Sequence, residues 1–211
     1  MTGICIISFD CEGKWGVADH ISNDIERNFT NKNLINSYAK INKLLEKFSV
    51  QATFGFVGAF TQSKNSFSDS WLELMQKSKS HSNWLNKLLN NFENEEDGWF
   101  CEEAYEIIKN SNIKHEITSH SFTHTPFISK LSNKDSVNLE FKAIQTWAKE
   151  KNLIPKTFIF PRNEVNYTNR LKDLNYNAFR SNTDPSTYIG KKFKNIISEF
   201  NVFGASEKKK L

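Results

Sequence analysis

Residues 116–124 read E-I-T-S-H-S-F-T-H, which joins a strand pattern to a pair of histidines. Residues 115–118 have the composition of a short strand, and polar residues continue from there to His120 and His124. Two histidines four residues apart can bind one divalent metal from a single turn of backbone, although surface helices and turns also produce this spacing by chance. The stretch therefore predicts a strand that ends in a candidate metal site.

A second acidic motif closes the first apolar run of the chain. Residues 3–9 are rich in Ile and predict a buried strand, which leads into S-F-D-C-E-G at residues 8–13. Asp10 and Glu12 are two positions apart, so their side chains share a face if the strand continues. One carboxylate could join the histidines around a metal while the other acts as a base, which describes a hydrolytic metal centre. The alternative is that the two acids only cap a turn.

A third motif follows a strand predicted over residues 157–160. Arg162, after Pro161 in F-P-R-N, could hold a carboxylate with two hydrogen bonds and keep Asp10 ionised and oriented. A surface arginine with an unrelated salt bridge would look the same. The acids, the histidine pair and Arg162 all come just after predicted strands, and this shared placement favours a single site.

Strand and helix patterns alternate along the chain. Helices are predicted over residues 33–48, 71–92, 102–109, 133–149 and 167–174, and further strands over residues 52–58 and 177–180. This alternation is typical of parallel β-α units and predicts an α/β fold. Residues 193–205 resemble a helix or a pair of strands, and residues 207–211 offer no recognisable closing element.

The composition narrows the class of protein. A chain of 211 residues predicts one domain, 1–211, and 38% hydrophobic residues with 18 Phe argue against disorder. Much of the net charge of +4 lies in Lys208, Lys209 and Lys210, so no nucleic-acid surface is expected. The three cysteines form no paired framework, and no signal peptide or transmembrane run is recognisable. We expect a soluble, cytoplasmic protein.

Residues 8–13, 52–58, 115–124 and 160–163 resemble the successive motifs of the polysaccharide deacetylase family, also called the NodB homology domain or carbohydrate esterase family 4. The combination F-D-C-E-G, S-H-S-F-T-H and F-P-R-N is similar to a divergent branch associated with cell-surface polysaccharide or lipopolysaccharide biosynthesis. The resemblance implies a distorted (β/α) barrel with fewer than eight strands. Here the barrel would be incomplete at the C-terminus, by one or two β-α units.

The resemblance also implies a role for each candidate residue. Asp10 would be the general base, and Glu12, His120 and His124 would bind a divalent cation, most often Zn²⁺, although cobalt, nickel and iron suit the same ligands. Arg162 would hold Asp10. The implied activity is the hydrolytic removal of acetyl groups from N-acetylated sugars of a cell-surface polysaccharide or its precursor. Because F-D-C-E-G has one residue more than the usual F-D-D-G, which acid is the ligand and which the base stays open.

One part of the family pattern is missing. The family commonly places a proton-donating histidine near its C-terminus, and none of the five histidines here follows His124. His20, in the loop after the Asp10 motif, is a possible substitute, and an ordinary surface histidine is the alternative. Three other hypotheses stay open: a non-catalytic carbohydrate-binding or inactive protein with the same fold, a hydrolase of non-sugar amide or imide bonds, and a piece of a longer deacetylase.

Overall fold

The fold alternates strands and helices, which confirms the predicted α/β class. The structure is a computed structural model that describes residues 5–67, 69–128, 130–182 and 206–210. Its strands are β1 (Ser8–Cys11), β2 (Thr53–Phe56), β3 (Glu116–Ser119), β4 (Thr157–Ile159), β5 (Ala178–Asn182) and β6 (Ser206–Lys210). Its α-helices are α1 (Asn23–Asn28), α2 (Asn31–Lys47), α3 (Asp69–Lys77), α4 (Lys79–Trp84), α5 (Asn86–Asn90), α6 (Glu102–Lys109), α7 (Lys134–Glu150) and α8 (Thr168–Asp173).

The two longest helices begin at polar caps. The Thr30 hydroxyl accepts a hydrogen bond from the Asn33 N–H at the start of α2. At the start of α7, Asn133 and Ser136 form a reciprocal capping box. Both helices lie within two residues of the predicted ranges, because apolar spacing and caps agree there. Each has 17 residues, and no helix in the described part of the chain has the length and apolarity needed to cross a membrane.

The single helix predicted over residues 71–92 is instead three short helices, α3, α4 and α5. The breaks fall at Ser78, whose backbone is extended, and at Leu85, with φ −104° and ψ 19°. Between them, α4 buries the side chains of His81 and Trp84. The prediction of one continuous helix was wrong because the packing of these two side chains overrides local helix propensity.

The sheet has the order β1-β2-β3-β4-β5-β6, and its first five strands are parallel. The tail adds a strand that was not predicted, since β6 pairs antiparallel with β5 from Asn182↔Ser206 to Ala178↔Lys210. The element predicted over residues 193–205 lies outside the described residues. The polar residues that follow β1, β3 and β4 therefore meet at one edge of a parallel sheet.

The five parallel strands curl into a half-barrel. In a flat sheet, β1 and β5 would be four strand spacings apart, or about 19 Å at roughly 4.8 Å each. Arg180 on β5 nevertheless donates hydrogen bonds to Asp10 and Ser8 on β1. A side chain of that length can bridge the two strands only if the sheet bends around the space between them. The opposite face of the sheet packs against the helices through aromatic residues, with Phe54, Phe56 and Phe158 fully buried.

Candidate metal centre

The carboxyl ends of β1 and β3 bring two acids and two histidines together. Asp10 and Glu12 lie on either side of the buried Cys11 and face the same way, as strand alternation predicts. Their side chains are 33% and 28% exposed, whereas those of His120 and His124 are 1% and 3% exposed. The imidazoles thus form the buried wall of the site, and the carboxylates form its open side.

Three ligand atoms converge at this point. The Glu12 Oε2 lies 3.1 Å from the Nε2 of His120 and 2.9 Å from the Nε2 of His124. The two Nε2 atoms are 3.1 Å apart. A tetrahedral ion with bonds of about 2.0–2.1 Å needs ligand atoms separated by roughly 3.3 Å. The residues present therefore fit a divalent cation, and among the described residues they form the one cluster of this kind.

A hydrogen bond on its far side orients His120. Its Nδ1 lies 2.9 Å from the Ile159 carbonyl of β4. Because a carbonyl can only accept, Nδ1 carries the proton, and the Nε2 of the neutral ring is free to bind a cation. The buried Nδ1 of His124 has no hydrogen-bond partner among the described residues. The two candidate ligands are thus oriented differently. A hydrogen bond to the ring orients His120, whereas the backbone of its loop orients His124.

The charges within the site suit a cation. Burial raises the pKa of Glu12, but His124 and His120 outweigh it and hold that pKa well below its usual value. Burial lowers the pKa of His120, yet the charges of Asp10 and Glu12 raise it overall. The carboxylates thus favour positive charge beside the imidazoles, and a divalent ion would supply that charge in place of a proton.

Asp10 lies beside the three converging ligand atoms but is farther from them than they are from one another. Its Oδ2 lies 3.8 Å from the His120 Nε2, and Arg180 donates two hydrogen bonds of 2.5 Å to its two oxygens. Burial raises the Asp10 pKa, but the charge of His120 and the bonds from Arg180 lower it below its usual value. Asp10 is therefore an ionised carboxylate, fixed in orientation and free of the ligand set.

Arg162 does not take the place that the sequence suggested. The predicted contact with Asp10 is wrong, since the Arg162 guanidinium donates to Asp19 at 2.7 Å and lies 4.6 Å over the Trp84 ring. Arg162 and Asn163 both have φ of 54°, so the chain leaves β4 through a left-handed turn that directs Arg162 outward. The neighbouring Asn163 does face the site, and its Oδ1 accepts a hydrogen bond from the Arg180 Nε at 3.1 Å. A catalytic role for Arg162 itself stays a prediction.

Because it pairs with Asp10, Arg180 is a candidate site residue, and the sequence analysis missed it. It lies on β5 beside Phe179 and is only 6% exposed. A charged residue within a short buried strand is unusual and almost always has a partner. That signal was present in A-F-R-S-N, but the sequence could not identify Asp10 as the partner.

The histidine loop, residues 119–125, has an uncommon backbone. All its residues are buried, and Ser121 and His124 have positive φ of 64° and 60°. A non-glycine residue in this left-handed conformation costs about 1–3 kcal/mol of conformational free energy, so contacts with the surroundings must hold it in place. On the side of β2, the N–H groups of Gly58 and Ala59 donate to the carbonyls of the loop. On the other side lies Glu140 of α7, which accepts from the N–H of Thr123.

Gly16 makes room for Glu12. A Cβ on Gly16 would lie 1.9 Å from the Glu12 Oε1, so the glutamate side chain folds directly over this glycine. Glu12 has a longer side chain than an aspartate would have. The space above Gly16 lets this longer side chain turn back toward the two histidines.

The outer rim of the site is a chain of contacts. The Asp19 carboxylate pairs with Arg162 and, at 2.6 Å, with the Nδ1 of His20. Burial raises the Asp19 pKa, but His20 and Arg162 lower it overall. Trp84, beneath Arg162, packs against the His124 ring with 6.1 Å between centroids. His20 is exposed and makes no hydrogen bond to the ligands, so the structure places it at the rim.

No family model and no curated protein matches the chain. It is similar in structure to a provisionally assigned polysaccharide deacetylase from Mycobacterium smegmatis, at 13% identity and TM-score 0.47 over 81% of this chain and 48% of that one. It is also similar to a family 4 acetyl xylan esterase from Clostridium thermocellum in complex with a cobalt ion, at 18% identity and TM-score 0.38 over 92% and 67%. The chain spans about half the length of the first protein. Likenesses of this extent establish neither a shared family nor a shared activity.

Proposed function

We propose that this protein is a metal-dependent hydrolase that removes acetyl groups from N-acetylated sugars of a cell-surface polysaccharide or its precursor. The observation that carries the proposal is the meeting of Glu12, His120 and His124 beside an ionised carboxylate that binds none of them. A ligand set and a separate base are what metal-assisted hydrolysis requires. The motif resemblance to polysaccharide deacetylases supports the sugar substrate.

Each residue has a defined task in this reaction. A divalent cation held by Glu12, His120 and His124 would polarise the amide carbonyl and lower the pKa of a water from 15.7 toward about 7. Asp10, kept ionised by Arg180, accepts a proton from the attacking water as the water oxygen bonds to the carbonyl carbon. The C–N bond then breaks, the leaving amine takes up a proton from a general acid, for which His20 is the candidate, and acetate and the free amino sugar leave.

The exposure of the side chains sets the direction of substrate approach. The carboxylates of Asp10 and Glu12 reach solvent, whereas the two imidazoles are covered by the half-barrel. A substrate must therefore enter from the carboxylate side, past the rim formed by Asp19, His20 and Arg162. These rim residues are polar and charged, which suits the hydroxyl groups of a sugar.

The direct test combines metal analysis with turnover. Purified protein is analysed for bound metal, stripped with a chelator, reloaded with Zn²⁺ or Co²⁺, and assayed for acetate release. The substrate panel contains N-acetylhexosamine oligosaccharides, simple non-sugar amides and cyclic imides. We expect release from the acetylated sugars that disappears on stripping and returns on reloading. Hydrolysis of the imides alone, or turnover that survives complete removal of metal, would overturn the proposal.

A carbohydrate-binding protein without turnover is the second candidate. Its support is that His81, His115, His120 and His124 are all engaged in contacts, and that the remaining histidine, His20, lies at the exposed rim and pairs with Asp19. Calorimetric binding of an acetylated oligosaccharide to the metal-loaded protein, with no acetate released, would favour this candidate.

A further inference from the structure

Glu140 is a buried carboxylate for which the reaction above has no task. It lies on α7, is 1% exposed, and accepts hydrogen bonds from two elements. Its Oε2 accepts from the N–H groups of Phe122 and Thr123, at 2.9 and 3.0 Å. Its Oε1 accepts from the Thr123 hydroxyl and, at 2.8 Å, from the His81 Nε2. Three of these four bonds come from the histidine loop.

We infer that Glu140 is a positioning residue that holds His124 in its metal-binding orientation, an inference that rests on the proposed metal site. Phe122 and Thr123 directly precede His124, so fixing their N–H groups fixes the backbone from which the His124 ring projects. The ring itself has no hydrogen bond at Nδ1 among the described residues. Apart from its packing on Trp84, the His124 ring is therefore oriented by its loop, and Glu140 is the group that binds the loop from the side of α7.

His81 completes this arrangement from α4. Its Nε2 donates to Glu140, and its Nδ1 lies 2.8 Å from the Ser78 Oγ. His81 and Glu140 are both almost fully buried, so the carboxylate depends on protein donors for its hydrogen bonds. The break between α3 and α4 thus has a consequence for the metal site, because it places His81 where it can bind the carboxylate that holds the loop.

The two oxygens of Glu140 differ in what they require. Both partners of Oε2 are backbone N–H groups, which can only donate. The partners of Oε1 are a hydroxyl and an imidazole, each of which can also accept after rotation or a change of tautomer. A glutamine can therefore keep both backbone bonds by turning its NH₂ toward Thr123 and His81, whereas a leucine leaves both N–H groups without an acceptor.

The test measures metal affinity in the 211-residue chain, by calorimetry with Zn²⁺ and by the visible spectrum with Co²⁺. Partners that orient metal ligands typically contribute about 10–100-fold in affinity, and we expect Glu140→Leu to lose that much. Glu140→Gln should stay within about threefold of the wild type, since it keeps the backbone bonds. Ser136→Ala is the matched control, because it removes one of the two reciprocal bonds of the capping box on the same helix without touching the loop, and it should bind metal normally.

Three outcomes overturn the inference. The first is wild-type metal affinity in Glu140→Leu. The second is an equal loss of metal affinity in Glu140→Leu and Ser136→Ala. The third is a loss of metal affinity in Glu140→Gln as large as that in Glu140→Leu. If Glu140→Leu does not fold, Glu140→Asp shortens the side chain by one methylene and draws the acceptor away from the N–H groups of Phe122 and Thr123, and unchanged affinity in this milder variant would also overturn the inference. A wild-type protein that binds neither Zn²⁺ nor Co²⁺ would instead overturn the proposed function.

Discussion

Arg180 on β5 and Asp10 on β1 form a bidentate ion pair across the interior of the half-barrel, with nitrogen–oxygen distances of 2.5 Å. Two parallel bonds fix the plane of the carboxylate as well as its charge. Since the Asp10 Oδ2 lies 3.8 Å from the His120 Nε2, Arg180 sets the distance between the proposed base and the ligand set.

Replacing Arg180 should therefore impair turnover without removing the metal. Arg180→Lys keeps a positive charge but cannot make two parallel bonds, and a misplaced base typically costs about 100-fold. We expect a loss of that order in the rate of acetate release, at unchanged metal content. Arg170→Lys, which alters an exposed ion pair with Asp173 on α8, is the matched control and should stay near the wild type. A larger loss in Arg162→Lys than in Arg180→Lys would contradict the assignment.

The roles of the two acids can be separated by amide substitution. Asp10→Asn should retain bound metal and lose turnover, because Asp10 is outside the set of converging ligand atoms. Glu12→Gln should lose metal affinity, because its Oε2 lies within 3.1 Å of both imidazole nitrogens. Metal content by elemental analysis and acetate release are measured on the same samples. The opposite pattern would exchange the two roles.

The space above Gly16 gives a steric test of Glu12. An alanine there would otherwise favour the short helix, but its Cβ would lie 1.9 Å from the Glu12 Oε1. The glutamate must move, and we expect Gly16→Ala to weaken Zn²⁺ binding by about tenfold or more. Val17→Ala, in the same turn, should bind normally. Full affinity in Gly16→Ala would show that Glu12 is not a ligand in this position.

His20 is the residue that we expect to protonate the leaving amine, although the structure places it only at the rim. General acid catalysis is worth about 10²–10⁴-fold, so His20→Asn should slow amide hydrolysis by that range. Acetate esters of acidic phenols need no such proton and should be hydrolysed at nearly the wild-type rate. His115→Asn, at the opposite end of β3, is the control. Equal losses on amides and esters would exclude His20 as the proton donor.

Much of the fold could be predicted because local signals agree with tertiary packing. α6 covers the predicted residues 102–109, and α2 and α7 have side-chain caps at the expected ends. The strands β2 to β5 lie within two residues of the predicted ranges, whereas β1 begins five positions later than predicted and contains Asp10. The sequence failed over residues 71–92, where the burial of His81 and Trp84 breaks the helix, and at β6, whose sequence S-E-K-K-K has no strand pattern.

The candidate site was predictable where its parts follow strands and not where they cross the half-barrel. Asp10, Glu12, His120 and His124 meet because parallel strands end at one edge. The partner of Asp10 depends on how far the sheet curls, and no local pattern records that curvature. Glu140 occupies a core-facing position of α7, between Val137 and Ile144. An acid in an apolar stripe was the available signal, but its partner could be found only in three dimensions.

The pair of Arg180 and Asp10 also sets an order of assembly along the chain. Glu12 and His120 are 108 positions apart, whereas Asp10 and Arg180 are separated by 170. A chain emerging from the ribosome would therefore have all three metal ligands well before the arginine that orients the proposed base. The proposed metal site could therefore bind its ion before hydrolysis is possible. Activity would appear only once β5 has paired with β4 and brought Arg180 to Asp10.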